Sequence, residues 1–134
     1  MAEPTLYERL GGVYAISAVV DYFSDQLVER RTIGETNPFI KEWTESKASV
    51  RLPGLKFLRT LWLCAISGGP FQYTGEALAD AHFEFALTPA EFDQVAAVLA
   101  DSLDHFGIPS SEKEEVLAAF AAYKPAVTAG SILR

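Results

Sequence analysis

Residues 87–107, LTPAEFDQVAAVLADSLDHFG, read as one α-helix with both ends marked. Thr88 stands at the N-cap, Pro89 takes the first helical position, Glu91 closes a capping box and Gly107 is the stop. Between the caps, Phe92, Val95, Leu99, Leu103 and Phe106 recur at helical spacing, so this segment must bury one apolar stripe against neighbours. Downstream, Ser111 and Glu114 repeat the capping pattern for EKEEVLAAFAAYKPAV, with Val116, Leu117, Phe120 and Tyr123 on its apolar face and Pro125 set to kink or end it. Upstream, Thr74 is the expected cap of GEALADAHFEF, a segment too brief to be stable without something to pack on.

Further upstream, LKFLRTLWLCAIS runs from Leu55 to Ser67 between Pro53-Gly54 and Gly68-Gly69-Pro70. It is apolar almost all the way round, so it has to be covered on more than one side. From Thr32 to Gly54 the periodicity weakens, though Asn37 as cap and Pro38 behind it predict a short helix carrying Phe39, Ile40 and Trp43. VYAISAVVDYFSDQLVERR places Val13, Ile16, Val20, Phe23 and Leu27 on one helical face, and Thr5 with Glu8 caps a short LYERL helix that stops at Gly11-Gly12. The expected fold is all-α, a single domain over residues 1–134 without internal repeats or a linker.

Composition narrows the function classes. A hydrophobic fraction of 49% with 22% charged residues is too apolar for a disordered chain and too interrupted by charge for a membrane protein. The formal net charge of -7 repels phosphate backbones and anionic lipid, which disfavours nucleic acid and membrane partners. The start, MAEPTLYERLGG, lacks the apolar segment of a secretory signal, so a cytoplasmic address is expected. The single cysteine, Cys64, excludes an internal disulfide, and the chain has too few Cys and His for a structural zinc site.

Candidate chemistry is sparse. Neither histidine, His82 or His105, has a local Ser-His-Asp or Cys-His arrangement around it, so no nucleophilic catalytic residue is assigned. His105, near a helix C-terminus, suits the dipole there, and Glu112, Glu114 and Glu115 suit the first turn of the following helix. Neither Gly11-Gly12 nor Gly68-Gly69 has the strand-loop-helix setting of a phosphate loop. His82 lies at helical spacing from Leu78 and is flanked by Phe83 and Phe85, and on spacing alone it reads more readily as a core histidine than as a ligand.

LYERLGG, VVDYFSDQL, SGGPFQYTGEALADAHFEF and the capped LTPAEFD helix together resemble the group I truncated haemoglobins over nearly the whole chain. The specific part is Gly-Gly-Pro, then Tyr73-Thr74-Gly75, then His82, in that order and spacing. The resemblance implies a two-over-two helical sandwich around protohaem (haem b), with iron held by His82. It reverses the plain reading of His82, and haem becomes the apolar partner that Leu55–Ser67 and the weak helix around His82 lack. Leu78, Phe85, Leu87, Phe92 and Val95 then fall on the proximal side, with Leu78 and Phe92 the favoured contacts.

On the distal side the chain departs from the family. Many members carry a tyrosine directly after the Phe matching Phe23, as a hydrogen-bond donor to the ligand at iron; here the residue is Ser24, kept inward by the stripe Ile16, Val20, Ser24, Leu27. Counting back from Gly68-Gly69-Pro70 puts Leu55, Arg59, Trp62 and Leu63 on the pocket face, with Arg59 where a glutamine is common. A buried guanidinium needs a partner: a propionate, a carboxylate or the bound ligand, the alternative being that it snorkels to solvent. The distal pocket is thus Phe23, Ser24, Leu55, Arg59 and Trp62. Phe39, with Trp43 as runner-up, is expected at the haem edge, and Arg51, Lys56 and Tyr73 near the propionates. Lys56 would serve as a sixth iron ligand only if neutral and inward.

The implied ligands are dioxygen, nitric oxide or carbon monoxide, and the implied activities are oxygen binding or carriage, or nitric oxide detoxification with a reductase partner; peroxidase-type chemistry is a further option for the same iron. The expected assembly is a monomer or weak homo-oligomer. The competing reading is a haem-free helical scaffold or sensor whose groove takes a protein or a small apolar ligand.

Overall fold

In a computed structural model, residues 3–31 and 33–134 are described; Met1 and Ala2 of the opening MAEP and Thr32 at the head of the weak segment lie outside them. The helices are α1 (Leu6–Arg9), α2 (Gly12–Arg30), α3 (Pro38–Ser46), α4 (Ala48–Ile66), α5 (Leu78–Phe83), α6 (Pro89–His105), α7 (Ser110–Ala121) and α8 (Lys124–Val127), with 3-10 turns at Ile33–Glu35 and Ala129–Leu133. The expected ends at Thr88, Asn37 and Gly107 hold. Thr88 Oγ1 accepts from Glu91 N at 3.2 Å, while Glu91 Oε1 accepts from Thr88 N at 3.0 Å. Asn37 Oδ1 accepts from the amides of Phe39 and Ile40, both at 3.0 Å. Gly107, with φ +69°, provides the left-handed stop.

Four expectations are corrected. Helix α4 begins at Ala48 and runs through Pro53-Gly54 instead of starting after them. Proline removes one bond to the Ser49 carbonyl, and Ser49 is exposed, so water can satisfy that carbonyl. Thr74 does not cap α5, which starts at Leu78 behind Ala77. The intervening chain is a turn in which the Tyr73 hydroxyl donates to the Glu76 carbonyl at 2.7 Å, and its ring lies so close to Gly75 that a side chain there would overlap it. Ser111 does not cap α7; its hydroxyl donates to the Glu112 carboxylate at 2.7 Å and the helix starts at Ser110 behind Pro109. Phe106 leaves the α6 stripe because the chain turns out of the helix there; it is 42% exposed, edge-on to the Tyr22 ring. Pro125 ends α7 as expected and starts α8.

Helix α2 lies along α4 and α6 along α7, and the first pair is laid over the second through α2 and α6. This is the two-over-two sandwich. One core cluster, with Ile16, Val20, Phe23, Leu63, Cys64, Leu99, Leu103 and Val116, fills the centre of the four long helices. A second, Ile33, Leu87, Phe92 and Val127, sits beyond it with Leu78, Phe85 and Ile40 packed on. Leu27, Val95 and Phe120 touch both clusters and mark the seam. Among the described residues no single helix is long and apolar enough to cross a membrane.

A carboxylate that sequence reading assigned only to the α6 cap turns out to be a junction. Glu91 is 3% exposed and accepts from Thr36 Oγ1 at 2.6 Å, Asn37 Nδ2 at 3.1 Å and Arg134 Nη1 at 2.7 Å as well as from Thr88. Burial pushes its pKa up, but the bonds from Thr36, Thr88 and Asn37 and the Arg134 charge outweigh it and leave it below the ordinary 4.5. A depressed carboxylate stabilises the fold above its unfolded value and loses that contribution as pH falls through its folded value. Glu91→Gln is therefore expected to cost about 2 kcal/mol at neutral pH. In urea denaturation across a pH series, the gap from the unmodified chain should close below pH 4.5; a gap constant down to acid pH would contradict the charged junction.

Candidate functional site

At the seam, side chains of α2 and α4 belong to the first cluster, and Leu78 of α5 and Phe92 of α6 to the second. On the α2 and α4 side Ser24, fully buried in the middle of α2, accepts a hydrogen bond from Arg59 Nη1 at 2.9 Å. The Arg59 guanidinium carbon lies 5.9 Å from the centre of the Phe23 ring. Loss of solvent pulls the Arg59 pKa down to about 10, so it is still cationic at neutral pH. The pairing follows from two helix faces: Phe23 and Ser24 on α2 meet Arg59 on α4, with Leu55 and Trp62 one turn to either side of it. Arg59 does not reach for solvent, as the snorkelling alternative had it, but is turned inward onto a hydroxyl.

On the α5 side His82 Nδ1 sits 2.8 Å from the Leu78 carbonyl, a bond that requires the proton on Nδ1. Nε2 then carries the lone pair, and among the described residues it has no hydrogen-bond partner. Burial lowers the His82 pKa, the Leu78 carbonyl opposes this, and the charge of Arg59 lowers it further. The imidazole is thus neutral at neutral pH, and the Arg59 charge lies near enough to act on it. Leu78, Phe85 and Phe92 lie on this side; Phe92 stacks on Phe120 at 4.9 Å, and Trp62 meets Phe120 and Tyr123 edge-on at 6.1 and 5.2 Å. Among the described residues no group of three His, Cys, Asp or Glu side chains could hold a metal ion.

The other residues expected around the site are placed as follows. Leu63 is in the first core cluster, where with Ile16, Val19 and Leu103 it closes a small cavity. Lys56 Nζ lies 2.7 Å from both Asp21 and Asp25, and these bonds raise its pKa, which is opposite to what a neutral sixth ligand needs. The Tyr73 hydroxyl is taken by the Glu76 carbonyl, and Arg51 is exposed. On α3, Phe39 is 44% exposed while Trp43 packs edge-on against Phe85 at 6.3 Å. Sequence reading missed Tyr123 and Phe120 as part of this aromatic wall. Their helical spacing had marked them only as core.

A four-helix sandwich with a free imidazole nitrogen on one side of its seam and a half-buried, inward-turned cation on the other defines a globin of the shortened, two-over-two kind. The chain belongs to the family of bacterial-like globins, whose model matches residues 5–129, and it is accordingly a haem-binding protein. It is 30% identical to the group 1 truncated hemoglobin GlbN of Mycolicibacterium paratuberculosis over 135 residues, covering 96% of this chain and 88% of the relative. It is also 30% identical to that of Synechocystis over 118 residues, with 85% and 87% covered. Among solved structures it is similar to the truncated hemoglobin of Tetrahymena pyriformis in the Fe(III) form, with TM-score 0.77 at 24% identity, 92% of this chain and 97% of that one being covered. The hemoglobin of Chloroflexus aurantiacus matches with TM-score 0.69 at 26% identity, covering 93% and 98%.

Proposed function

We propose that this globin, as one domain over residues 1–134, binds dioxygen reversibly, with haem seated in the seam, His82 as proximal iron ligand, and Arg59 with Ser24 as the distal polar pair. The observation that carries the reading is the state of His82. Its Nδ1 is committed to the Leu78 carbonyl, which fixes the tautomer and ring orientation and leaves Nε2 neutral and unpaired beside apolar side chains. That is the donor a haem iron requires, and Leu78, Phe85, Phe92, Leu55 and Trp62 supply apolar surface for the macrocycle. Haem, when bound, supplies an iron with an open coordination position for a diatomic ligand.

The chain's own contribution is to shape and polarise the space above. The Ser24 hydroxyl accepts from Arg59 and, among the described residues, donates to no carbonyl, so its proton is available to the pocket. Arg59 holds further N–H donors than the one spent on Ser24. Both are pre-oriented before a ligand arrives, and a partly negative oxygen is what such donors favour over a nonpolar gas. The test is the optical spectrum of the purified protein as ferric, dithionite-reduced and reduced under carbon monoxide. A Soret band, a five-coordinate ferrous form and a shift on carbon monoxide are expected. A six-coordinate ferrous form, or no Soret band after haem is added, would overturn the open site.

A further inference from the structure

The helix that carries His82 is six residues long, too short to hold its own shape. It packs chiefly against α8 and the Ala129–Leu133 turn. Gly130 is buried there with its backbone so close to the Phe83 carbonyl that any side chain would overlap it. Behind His82 the chain closes a tight turn in which the His82 carbonyl accepts from Phe85 N and the Phe83 carbonyl from Ala86 N, both at 3.1 Å. Ala86 is fully buried with φ +50°, a left-handed conformation that a non-glycine residue keeps only when its surroundings impose it.

Those surroundings are two side chains. Asn37 Nδ2 donates to the Phe85 carbonyl at 2.9 Å, and Arg134 Nη1 donates to the Ala86 carbonyl at 3.3 Å. Both also bond Glu91 Oε1, Asn37 at 3.1 Å and Arg134 at 2.7 Å, and Arg134 Nη2 reaches the Thr36 carbonyl. One carboxylate oxygen therefore ties the last two carbonyls of the His82 turn to the start of α3, the start of α6 and the 129–134 segment.

We infer that Glu91, Asn37 and Arg134 are positioning residues for His82: by holding the Phe85 and Ala86 carbonyls they fix the turn that ends α5, and with it the tilt and depth of the imidazole. The inference rests on the reading of His82 as the proximal ligand. Outer groups that orient a ligating histidine matter to the metal although they never touch it. Here the orienting path runs through backbone, because the direct acceptor, the Leu78 carbonyl, sits on the same short helix and moves with it.

The experiment compares Arg134→Ala, Arg134→Lys and, as a control, Arg30→Gln, which breaks the surface pair with Asp101. Two readouts are taken on the haem-loaded protein, the iron–histidine stretching band of the ferrous form and the rate of haem loss to an apoglobin acceptor. A third, amide hydrogen exchange across 79–86, is taken with and without haem. Arg134→Ala is expected to shift and broaden the band, to speed haem loss about tenfold, and to speed exchange at 79–86 by a similar factor, with Arg134→Lys recovering most of each. Arg30→Gln should move none of them. If Arg134→Ala leaves band and exchange as in the unmodified chain and lowers only the melting temperature, the positioning role is overturned. The Glu91→Gln and Gly130→Ala proteins, where they fold, must shift the band in the same sense. A separate His82→Ala protein that keeps its haem would remove the ligand assignment alone, while the exchange data would still decide whether Arg134 holds α5.

Discussion

His82→Ala is expected to lose haem at least about a hundredfold faster than the unmodified chain, which corresponds to about 3 kcal/mol or more of lost affinity. The side chain removed is the one imidazole in the seam, its Nε2 without a partner among the described residues, so no second imidazole replaces it as a donor to iron. Lys56 is held by Asp21 and Asp25, and His105 is stacked on Tyr22 at 4.0 Å on the outside of α6. The measurement is haem transfer to an apoglobin acceptor, followed at the Soret band. Because haem stabilises only the folded state, the rise in melting temperature on adding haem should shrink in parallel. Added imidazole should restore the ferrous spectrum, since it can fill the space left by the ring. Unchanged haem retention would sink the proximal assignment.

Legibility in the sequence followed the range of the interaction. Caps at Asn37-Pro38 and Thr88–Glu91 were readable because donor and acceptor lie within one turn. The start of α4 was not, because Pro53-Gly54 is a local stop signal, while its small penalty in this position depends on Ser49 being open to water. Thr74 failed as a cap for a related reason: the Tyr73 ring folds over Gly75, a contact no periodicity encodes. In the site, the helical stripe placed Ser24 inward but left Arg59 between the pocket and solvent, and spacing could not join the two across 35 residues. Glu91 is the clearest limit. Its capping role was legible, and that sufficient local explanation concealed the bonds to Thr36, Asn37 and Arg134 that make it a junction.

Arg59→Leu is expected to speed dioxygen dissociation by roughly ten- to a hundredfold, the equivalent of one charge-assisted hydrogen bond of about 1.5 to 3 kcal/mol. Three observations set the sign. The guanidinium is anchored inward on Ser24 at 2.9 Å, its carbon lies 5.9 Å from the centre of the Phe23 ring, and loss of solvent lowers its pKa only to about 10, which leaves it charged at neutral pH. Leucine keeps the apolar stem and removes every donor. Carbon monoxide, which takes little negative charge on its oxygen, is the internal control and should leave at nearly the rate seen without the change. Arg59→Lys separates charge from geometry: a lysine offers a point charge without the planar fork, so it cannot bond Ser24 and the ligand with the same orientation. Its dioxygen rate should fall between those of arginine and leucine. Ser24→Ala should resemble it, because Arg59 then loses the acceptor that holds it over Phe23. Stopped-flow dissociation of both gases from all four proteins decides the matter, and equal dioxygen rates for arginine and leucine would assign Arg59 to the haem periphery.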